Sequence, residues 1–504
     1  MELLLGIDAG TTVTKSVLFD LTGREVGQGA QRVPLSYPLA RHVERDQDAV
    51  WDSVVQTVRA ALSSAGARAG DVVAVGVTSH GDGVYLVDAA GRPTRPGIMS
   101  LDTRAREIAA SWNGSAVGPR ALELTGQLPW ASAPAALLAW LLQHEPEVVA
   151  ASRWALPAKD MLRLRLTGLA ATEPTEASLS FTNVRTQTYD DAILDLFGLD
   201  SVADMRPPVV ACTDAPSGLT EESADALGLR PGTPVAGSAH DVDCGALGTG
   251  VIAPGTLSVI AGSFNINQAV STEPVMDPEW CARNFVLPGS WNNMAISPTS
   301  ATNLEWFANQ LCAVDLKVGR EAGDPFAFVD REVAAVAADP IDVVYLPFLY
   351  GSPSGEDASG TFVGLHGWHT RGHILRAIQQ GVAFTHRWHV DALDRSFPTS
   401  AVRLTGGATR SPLWTQIYAD VLNRPVEVTA TEQASALGVS LLAGVAAGVW
   451  RNVQQAADDT VRVRDIYRPG PHAAELDVAY QRFRGLIHAL APWWTHGVSK
   501  EPTV

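Results

Sequence analysis

The chain has 504 residues and a formal net charge of −17 at pH 7, with 37 basic and 54 acidic side chains. This length exceeds the size at which one hydrophobic core keeps growing, so it predicts two domains with a ligand cleft between them. The negative charge and the lack of a basic run argue against a nucleic-acid partner, and small soluble ligands are expected instead.

The first predicted elements are two apolar strands within residues 3–20, LLLGIDAGTTVTKSVLFD, joined by a bend of small residues. Gly10 supplies the backbone freedom of a tight turn, so a plain β-hairpin is the simplest interpretation. A plain hairpin does not explain the polar groups at the bend. These are a carboxylate, two hydroxyls and a lysine: Asp8, Thr11, Thr12 and Lys15.

Further strand patterns at 72–77 and 84–87 alternate with helical patterns at 49–61 and 134–142, which indicates an α/β domain. The segment PVAGSAHDVDCGALGTG begins as a predicted strand at 234–239 and becomes a helix rich in Gly and Ala. It is typical of the end of a domain. We therefore predict a first domain over residues 1–247.

The opening pattern returns in LSVIAGSFNINQAV, residues 257–270, with Gly262 and Ser263 in the bend. One hairpin of the same design at the head of each half suggests an internal duplication. We therefore predict a second α/β domain over residues 248–504, facing the first.

Two later segments complete the second half. VRLTGGATRSPLWTQIYADVLNRPVEV, residues 402–428, reads as strand, glycine turn, helix and strand, and Gly406 with Gly407 lets another group approach the backbone. ASALGVSLLAGVAAGVW, residues 434–450, carries no charge. It is rich in Ala, Gly and Ser and barely reaches spanning length, so a buried helix is favoured over a membrane span.

The hairpin bends are the candidate phosphate site, because no Walker sequence or dinucleotide fingerprint is present. Consecutive backbone N–H groups in a turn bind anions, and Thr11, Thr12 and Ser263 add hydroxyl donors. Asp8 at a strand end is suited to a hydrated magnesium ion.

Asp241 is the candidate base for such a site. It follows the predicted strand at 234–239 and begins a helix, so its carboxylate would face a cleft and could accept the proton of an attacking hydroxyl. The alternative is that Asp241 only caps the helix.

Four segments, in this order, resemble the FGGY family of carbohydrate kinases, within the actin-like ATPase superfamily. GIDAGTTVTK is similar to the first phosphate motif of the family, AGSFN to the second, GTFVGLHGWHTRGHILRAI to the C-terminal signature, and LTGGATRSPLWTQIYADVLNRPV to the adenosine motif. The agreement is closest with the xylulose, L-xylulose and erythritol kinase branch. The resemblance implies two actin-like ATPase (ribonuclease H-like) domains flanking a catalytic cleft, with ATP and Mg²⁺ as cofactors.

The resemblance also implies roles for individual residues. Asp241 matches the catalytic base, Asp8 would position magnesium through water, and Gly262 and Ser263 would contact the phosphates from the second domain. The groups near the β- and γ-phosphates would be Gly10, Thr11, Thr12 and Lys15. The groups along the adenosine would be Gly406, Gly407 and Ser411.

The acceptor pocket is predicted in SHGDGVYLVD, residues 79–88. Asp82 can accept two hydrogen bonds from vicinal hydroxyls, which suits a polyol or a sugar, but an Asp-Gly turn is an alternative. His80 would either donate to a hydroxyl or satisfy a core hydrogen bond. Trp130 would either form an apolar wall against the substrate or simply pack beside a proline. Asp241 would complete the pocket.

We therefore expect an ATP-dependent kinase that phosphorylates a terminal primary hydroxyl of a small open-chain polyol or ketose. Asp82 favours an erythritol-like polyol, whereas ATRSPLWTQIYADVL favours xylulose or L-xylulose. A non-catalytic nucleotide-dependent sugar sensor on the same scaffold stays open. A glycoside hydrolase that pairs Asp241 with Asp243 fits less well, because it leaves both hairpins without a role.

The cysteines indicate the compartment. Cys212, Cys244, Cys281 and Cys312 lie far apart without a C-x-x-C pair, which argues against a zinc site or a disulfide framework. The first residues lack the pattern of a signal peptide. We expect a cytoplasmic protein with no nucleic-acid or membrane partner, and a homodimer is one assembly that the sequence allows.

Overall fold

The computed structural model describes residues 1–353 and 358–497. Its strands are β1 (Leu3–Ala9), β2 (Val13–Asp20), β3 (Glu25–Arg32), β4 (Glu44–Arg45), β5 (Val72–Ser79), β6 (Tyr85–Val87), β7 (Gly97–Ile98), β8 (Trp154–Leu156), β9 (Ser217–Gly218), β10 (Pro234–Val235), β11 (Thr256–Ala261), β12 (Asn265–Ser271), β13 (Cys281–Asn284), β14 (Trp291–Ser297), β15 (Val344–Leu346), β16 (Thr361–Val363), β17 (Ala401–Gly406), β18 (Val426–Thr429) and β19 (Val463–Tyr467).

Its helices are α1 (Gln47–Ala65), α2 (Arg106–Asn113), α3 (Val117–Thr125), α4 (Pro134–His144), α5 (Pro146–Ala151), α6 (Ala158–Thr167), α7 (Pro174–Ala177), α8 (Asp191–Phe197), α9 (Glu221–Leu227), α10 (Asp241–Gly248), α11 (Thr302–Leu311), α12 (Ala313–Glu321), α13 (Ala327–Ala335), α14 (Arg371–Asp394), α15 (Pro412–Leu422), α16 (Ala434–Ala446), α17 (Val453–Thr460) and α18 (Ala473–Gly497). The mixture of helices and strands confirms the predicted α/β class.

Two sheets share one topology. The first has the order β3-β2-β1-β5-β10-β9 and the second the order β13-β14-β12-β11-β17-β18-β19. In each sheet an antiparallel meander, β1-β2-β3 or β11-β12-β14, is followed by two parallel strands and a final antiparallel one. The repeated order supports the hypothesis of an internal duplication, for which the sequence offered one matched hairpin.

The two faces of the first sheet are covered by different helices. Leu3, Leu5 and Ile7 of β1 belong to the core formed with α1, whereas Leu4 belongs to the core formed with α16. This division follows from the two-residue side-chain period of a strand. Both faces of β1 are therefore buried, which explains its nearly continuous apolar sequence.

Helix α16 belongs to the second half of the chain but packs on the first sheet. A Cβ atom on Gly6 of β1 would lie 2.1 Å from the carbonyl oxygen of Ala436, and one on Gly76 of β5 would lie 2.4 Å from that of Val439. The two elements approach so closely because both glycines lack side chains. The prediction of a buried helix is confirmed, and no helix in the described part of the chain is long and apolar enough to cross a membrane.

The predicted strand at 234–239 is shorter than expected. Only Pro234–Val235 forms β10, because the backbone then turns away from the sheet. The N–H of Gly237 donates to the carbonyl of Asp214, and Ser238 has a positive φ of 71°. Strands β1, β5 and β10 are parallel, so this turn places Asp241 at the same sheet edge as Asp8 and His80.

Candidate active site

The first bend places Asp8 opposite Lys15. The two residues are paired across the β1-β2 hairpin, and Gly10, Thr11 and Thr12 form the connection between the strands. The ammonium of Lys15 donates to Oε1 of Gln433 at 3.1 Å. The structure therefore brings together all five groups that the sequence assigned to the first phosphate site.

A buried guanidinium holds this bend in place. Arg45 of β4 is 1% exposed, and it donates to the carbonyl of Gly10 at 3.0 Å and to the carbonyl of Thr11. Burial lowers the pKa of Arg45. With both carbonyls tied to Arg45, the bend has a fixed shape.

Asp241 lies at the start of α10, close to Asp8. His240 holds the N-cap position before it, so the alternative role of Asp241 as a cap is not what the structure shows. The side chain of Asp241 is 28% exposed and can be reached from the cleft. Burial raises the pKa of Asp8 to about 7, and the neighbouring charge of Asp241 contributes to that rise.

Asp243 is not available as the second carboxylate of a hydrolase. Its side chain is 1% exposed, and Oδ1 accepts a hydrogen bond from the amide of Asn292 at 2.8 Å. Burial raises the pKa of Asp243 to about 7. Asp241 and Asp243 therefore do not form the pair of accessible carboxylates that glycoside hydrolysis requires.

The second bend and the glycine turn lie side by side. Strands β11 and β17 are parallel, and Ala261 is the partner of Gly406 at their ends. Gly406 has a φ of 96°, and a Cβ atom on it would lie 2.5 Å from the carbonyl oxygen of Ala261. The structure thus brings Gly262 and Ser263 next to Gly406 and Gly407 at one sheet edge.

Ser411 has two local partners. Its hydroxyl donates to Oδ1 of Asp330 at 2.6 Å and accepts the N–H of Trp414 at 3.0 Å, which caps α15. These contacts fix the entry of α15 beside the glycine turn. Contact between Ser411 and adenosine stays a prediction.

On the acceptor side, Asp82 lies in a turn and also faces a cation from the second half of the chain. Asp82 and Gly83 have φ angles of 55° and 79°, so the Asp-Gly turn is present. Nη2 of Arg283, on β13, lies 3.4 Å from Oδ1 of Asp82, and its guanidinium lies 4.8 Å from the ring centroid of Trp130. Arg283 thereby joins two predicted acceptor residues.

The contacts of His80 favour its alternative role in the core. Nε2 lies 3.2 Å from the hydroxyl of Tyr85, and Nδ1 lies 3.2 Å from the carbonyl oxygen of Gly81. Burial, together with the neighbouring charge of Arg45, lowers the pKa of His80 to about 4. His80 is therefore a neutral histidine with both ring nitrogens in contact with neighbouring polar groups.

The comparisons with known proteins agree with this geometry. Residues 3–248 match the N-terminal domain of the FGGY family of carbohydrate kinases, and residues 258–447 match the C-terminal domain of that family. The chain belongs to the FGGY family of carbohydrate kinases.

Full-length relatives support the same branch as the sequence motifs. This FGGY kinase is 32% identical over 508 residues to the L-xylulose/3-keto-L-gulonate kinase of Escherichia coli (strain K12), with 99% of each chain covered. It is 30% identical over 525 residues to the erythritol kinase of Brucella abortus (strain 2308), covering 98% of this chain and 97% of the relative. A solved xylulose kinase from Rhodospirillum rubrum superposes with a TM-score of 0.86 at 28% identity, covering 98% of this chain and 100% of that one.

Family membership settles the class of reaction. The chain is a phosphotransferase that uses ATP and an alcohol group of a sugar or polyol as acceptor. Its fold is that of the sugar kinases, with two domains of the actin-like ATPase type. The relatives lend no support to the alternative of a non-catalytic sensor.

Two residues of the site could not be found from the sequence. In the sequence, Arg45 is an ordinary charged residue before a helix. Its hydrogen bonds reach the carbonyls of Thr11 and Gly10, which are 34 and 35 residues away. Arg283 lies 201 residues from Asp82. Neither stands in a local pattern that predicts these contacts.

Proposed function

We propose that this kinase phosphorylates a terminal primary hydroxyl of a small open-chain polyol or ketose, with Asp241 as the catalytic base. The observation that carries the proposal is the convergence of Asp8, Asp241 and the Asp82–Arg283 pair at one edge of the first sheet. The names of the relatives point to the same acceptors, erythritol and L-xylulose.

Asp241 would accept the proton of the acceptor hydroxyl as its oxygen attacks the γ-phosphorus of ATP. The bond between that phosphorus and the bridging oxygen breaks, and ADP leaves with the electron pair. A carboxylate can serve here because it needs to take the proton only as the new bond forms. The partial exposure of Asp241 leaves it accessible to a substrate in the cleft.

The two bends would hold the phosphates from opposite sides. Backbone N–H groups of Gly10, Thr11 and Thr12, with the ammonium of Lys15, supply donors on one side. Gly262 and Ser263 supply donors on the other. Because Arg45 holds the first bend, its donors would stabilise the charge of the transferring group at little cost of reorganisation.

The residues around Asp8 fit a hydrated magnesium ion. In the described residues no group of three or more His, Cys, Asp or Glu side chains could hold a metal directly. Mg²⁺ does not need such a group, because it keeps several waters and binds through one or two carboxylates plus phosphates. Asp8 would hold it through water, and the ion would neutralise charge on the phosphates.

The adenosine would lie along the turn after β17. A Cβ atom on Gly407 would meet nothing within 4 Å, so the backbone is open there, and Ser411 lies at the start of the following helix. Closure of the two halves on both substrates would exclude water that otherwise hydrolyses ATP.

The acceptor pocket favours neutral polyhydroxy compounds. Asp82 can accept hydrogen bonds from two hydroxyls. The guanidinium of Arg283, 3.4 Å away, compensates the negative charge of its carboxylate. Burial raises the pKa of Asp82, and Arg283 opposes that rise. We also propose the cytoplasm as the compartment, supported by four free cysteines.

The test is ADP release with Mg²⁺ and ATP against C3–C6 polyols and ketoses, including erythritol, D-xylulose and L-xylulose. We expect one or two acceptors to stimulate turnover strongly, and Asp241→Asn to lower kcat by roughly 10²–10⁴-fold. Asp52→Asn, on the exposed face of α1, is the matched control. Full turnover by Asp241→Asn would refute the assignment of the base.

A further inference from the structure

The imidazole of His240 occupies the space beside Gly81 where a larger side chain would lie. A Cβ atom on Gly81 would lie 2.1 Å from Nε2 of His240 and 2.6 Å from both Cδ2 and Cε1. The φ angle of Gly81 is not positive, so its backbone would accept alanine. Glycine is therefore needed at this position because of the His240 ring, and not because of the turn.

The ring is held against the carboxylate that we assign as the base. Nε2 lies 3.2 Å from Oδ1 of Asp241, and Nδ1 lies 3.6 Å from Oδ2 of Asp243. The backbone N–H of His240 donates to the hydroxyl of Thr175 at 2.9 Å. The side chain is 7% exposed, so the ring is packed in the interior against these groups.

Acidic groups face the ring from several elements. They are Asp82 after β5, Glu176 on α7, and Asp241 and Asp243 on α10, and the neutral imidazole of His80 also lies nearby. Glu176 is 3% exposed, and neither of its carboxylate oxygens has a hydrogen-bond partner. Burial lowers the pKa of His240, but the acids outweigh this effect and raise it to about 9.

We propose that His240 is a positioning residue for the transfer step, and that its ring, given room by Gly81, holds the Asp241 carboxylate in one orientation toward the acceptor hydroxyl. This inference rests on the proposed role of Asp241 as the base. A base must lie within hydrogen-bond reach of the proton that it removes, and a displacement of about 1 Å can cost 100-fold in rate.

The first test separates kcat from KM in His240→Ala and His240→Gln, with the acceptor that gives the highest turnover in the panel. We expect kcat to fall roughly 10–100-fold in the alanine variant and less in the glutamine variant, because an amide can still donate to Asp241. The KM for ATP should stay within about threefold, since His240 is not among the residues that we assign to ATP binding. His389→Gln, a buried histidine on α14, is the matched control.

The second test uses the space beside Gly81 that the His240 ring occupies. Gly81→Ala should lower kcat to a similar extent, because its methyl group must displace the ring. The double variant Gly81→Ala/His240→Ala should be no slower than His240→Ala alone, since the collision no longer exists. Losses that multiply in the double variant would contradict the proposal.

The third test is the pH dependence of kcat/KM. In the wild type, activity should decline on the alkaline side as His240 loses its proton, and this decline should be absent from His240→Gln. A change of protein stability alone would not remove the alkaline limb in His240→Gln while leaving it in the wild type.

The outcomes distinguish this inference from the proposed function. If Asp241→Asn retains turnover, the base is wrongly assigned and the role of His240 falls with it. If Asp241→Asn is inactive while His240→Ala keeps the wild-type kcat and the wild-type alkaline limb, only the inference about His240 is refuted. Where His240→Ala does not fold, Gly81→Ala and His240→Gln provide the same comparison, with ADP binding as the check on folding.

Discussion

The two hairpin bends have the same topology but are supported by different side-chain contacts. The first carries Asp8 and Lys15, is tied to the buried guanidinium of Arg45, and lies beside Asp241. The second carries only a glycine and a hydroxyl. Beneath it lies a network of neutral groups, in which Asn267 donates to Asn265 at 2.6 Å and its Oδ1 lies 2.9 Å from Nδ1 of His386.

The difference indicates a division of labour between two halves of common design. Burial lowers the pKa of His386 well below its usual value, so the second network carries no charge at neutral pH. The carboxylates and the ammonium that we assign to the reaction lie on the first half, and Arg283 is the one ionisable group that we assign to it from the second half. The second half would contribute hydrogen-bond donors and the nucleotide site, and the variants below test this asymmetry.

Asp8→Asn should have the largest effect of the four. Removal of the charge should lower kcat/KM for ATP by roughly 100-fold and weaken the affinity for Mg²⁺ by about 10–100-fold, since the amide is a poorer partner for a hydrated cation. ADP release measured over a range of Mg²⁺ concentrations checks this, with Asp52→Asn as the control. An unchanged Mg²⁺ dependence would remove Asp8 from the proposed site.

Arg45→Met should raise the KM for ATP about tenfold, because the first bend loses two charge-assisted hydrogen bonds. The thermal midpoint should change little, since methionine replaces a buried cation with an apolar chain. Arg59→Met is a close control, because Arg59 also donates to two backbone carbonyls but lies on the surface of α1. Equal effects of the two variants would show that Arg45 has no special relation to the phosphate site.

Ser263→Ala should cost only about three- to tenfold in kcat/KM for ATP, because it removes one neutral hydroxyl donor while the backbone N–H groups remain. Ser271→Ala, at the other end of β12, is the control. Steady-state kinetics with the best acceptor provide the measurement. A loss of kcat/KM as large as that of Asp8→Asn would mean that the second bend contributes as much to the use of ATP as the first.

Glu176→Gln should alter the pH dependence of stability. Burial raises the pKa of Glu176 from 4.5 to about 8, so between these values the folded state holds a proton that the unfolded state has lost. Wild-type stability should therefore fall as pH rises from 5 to 8, and the variant should recover about 1–2 kcal/mol at pH 8 relative to pH 5. Urea unfolding at the two pH values, with the exposed Glu123→Gln as control, measures this. Parallel pH profiles of the two variants would contradict it.

The sequence predicted the local parts of the molecule and missed the long-range ones. The first hairpin, the second hairpin and the buried helix predicted within 434–450 follow from apolar runs, glycines and length. All three are present, and the helix ends at Ala446. The prediction of a strand over 234–239 was wrong in its length, because nothing in the sequence indicates the positive φ of Ser238.

The site shows the same limit. The bend residues and Asp241 stand in motifs that can be compared with a family, so they could be assigned before the structure. Arg45, Arg283 and the ring of His240 act through contacts that exist only in the folded chain. Sequence order does not encode such contacts in any local pattern, and for the same reason the division of the chain at 247 and 248 stays a prediction.

The packing of α16 on the first sheet has a consequence for how the protein is made. The strands that it covers are synthesised well before α16, which begins at Ala434. Until α16 has been made, Leu4, Val17 and Phe19 lack part of the cover that buries them in the folded protein. The first half therefore cannot complete its core before α16 is available, and we expect that sheet face to be prone to aggregation until then.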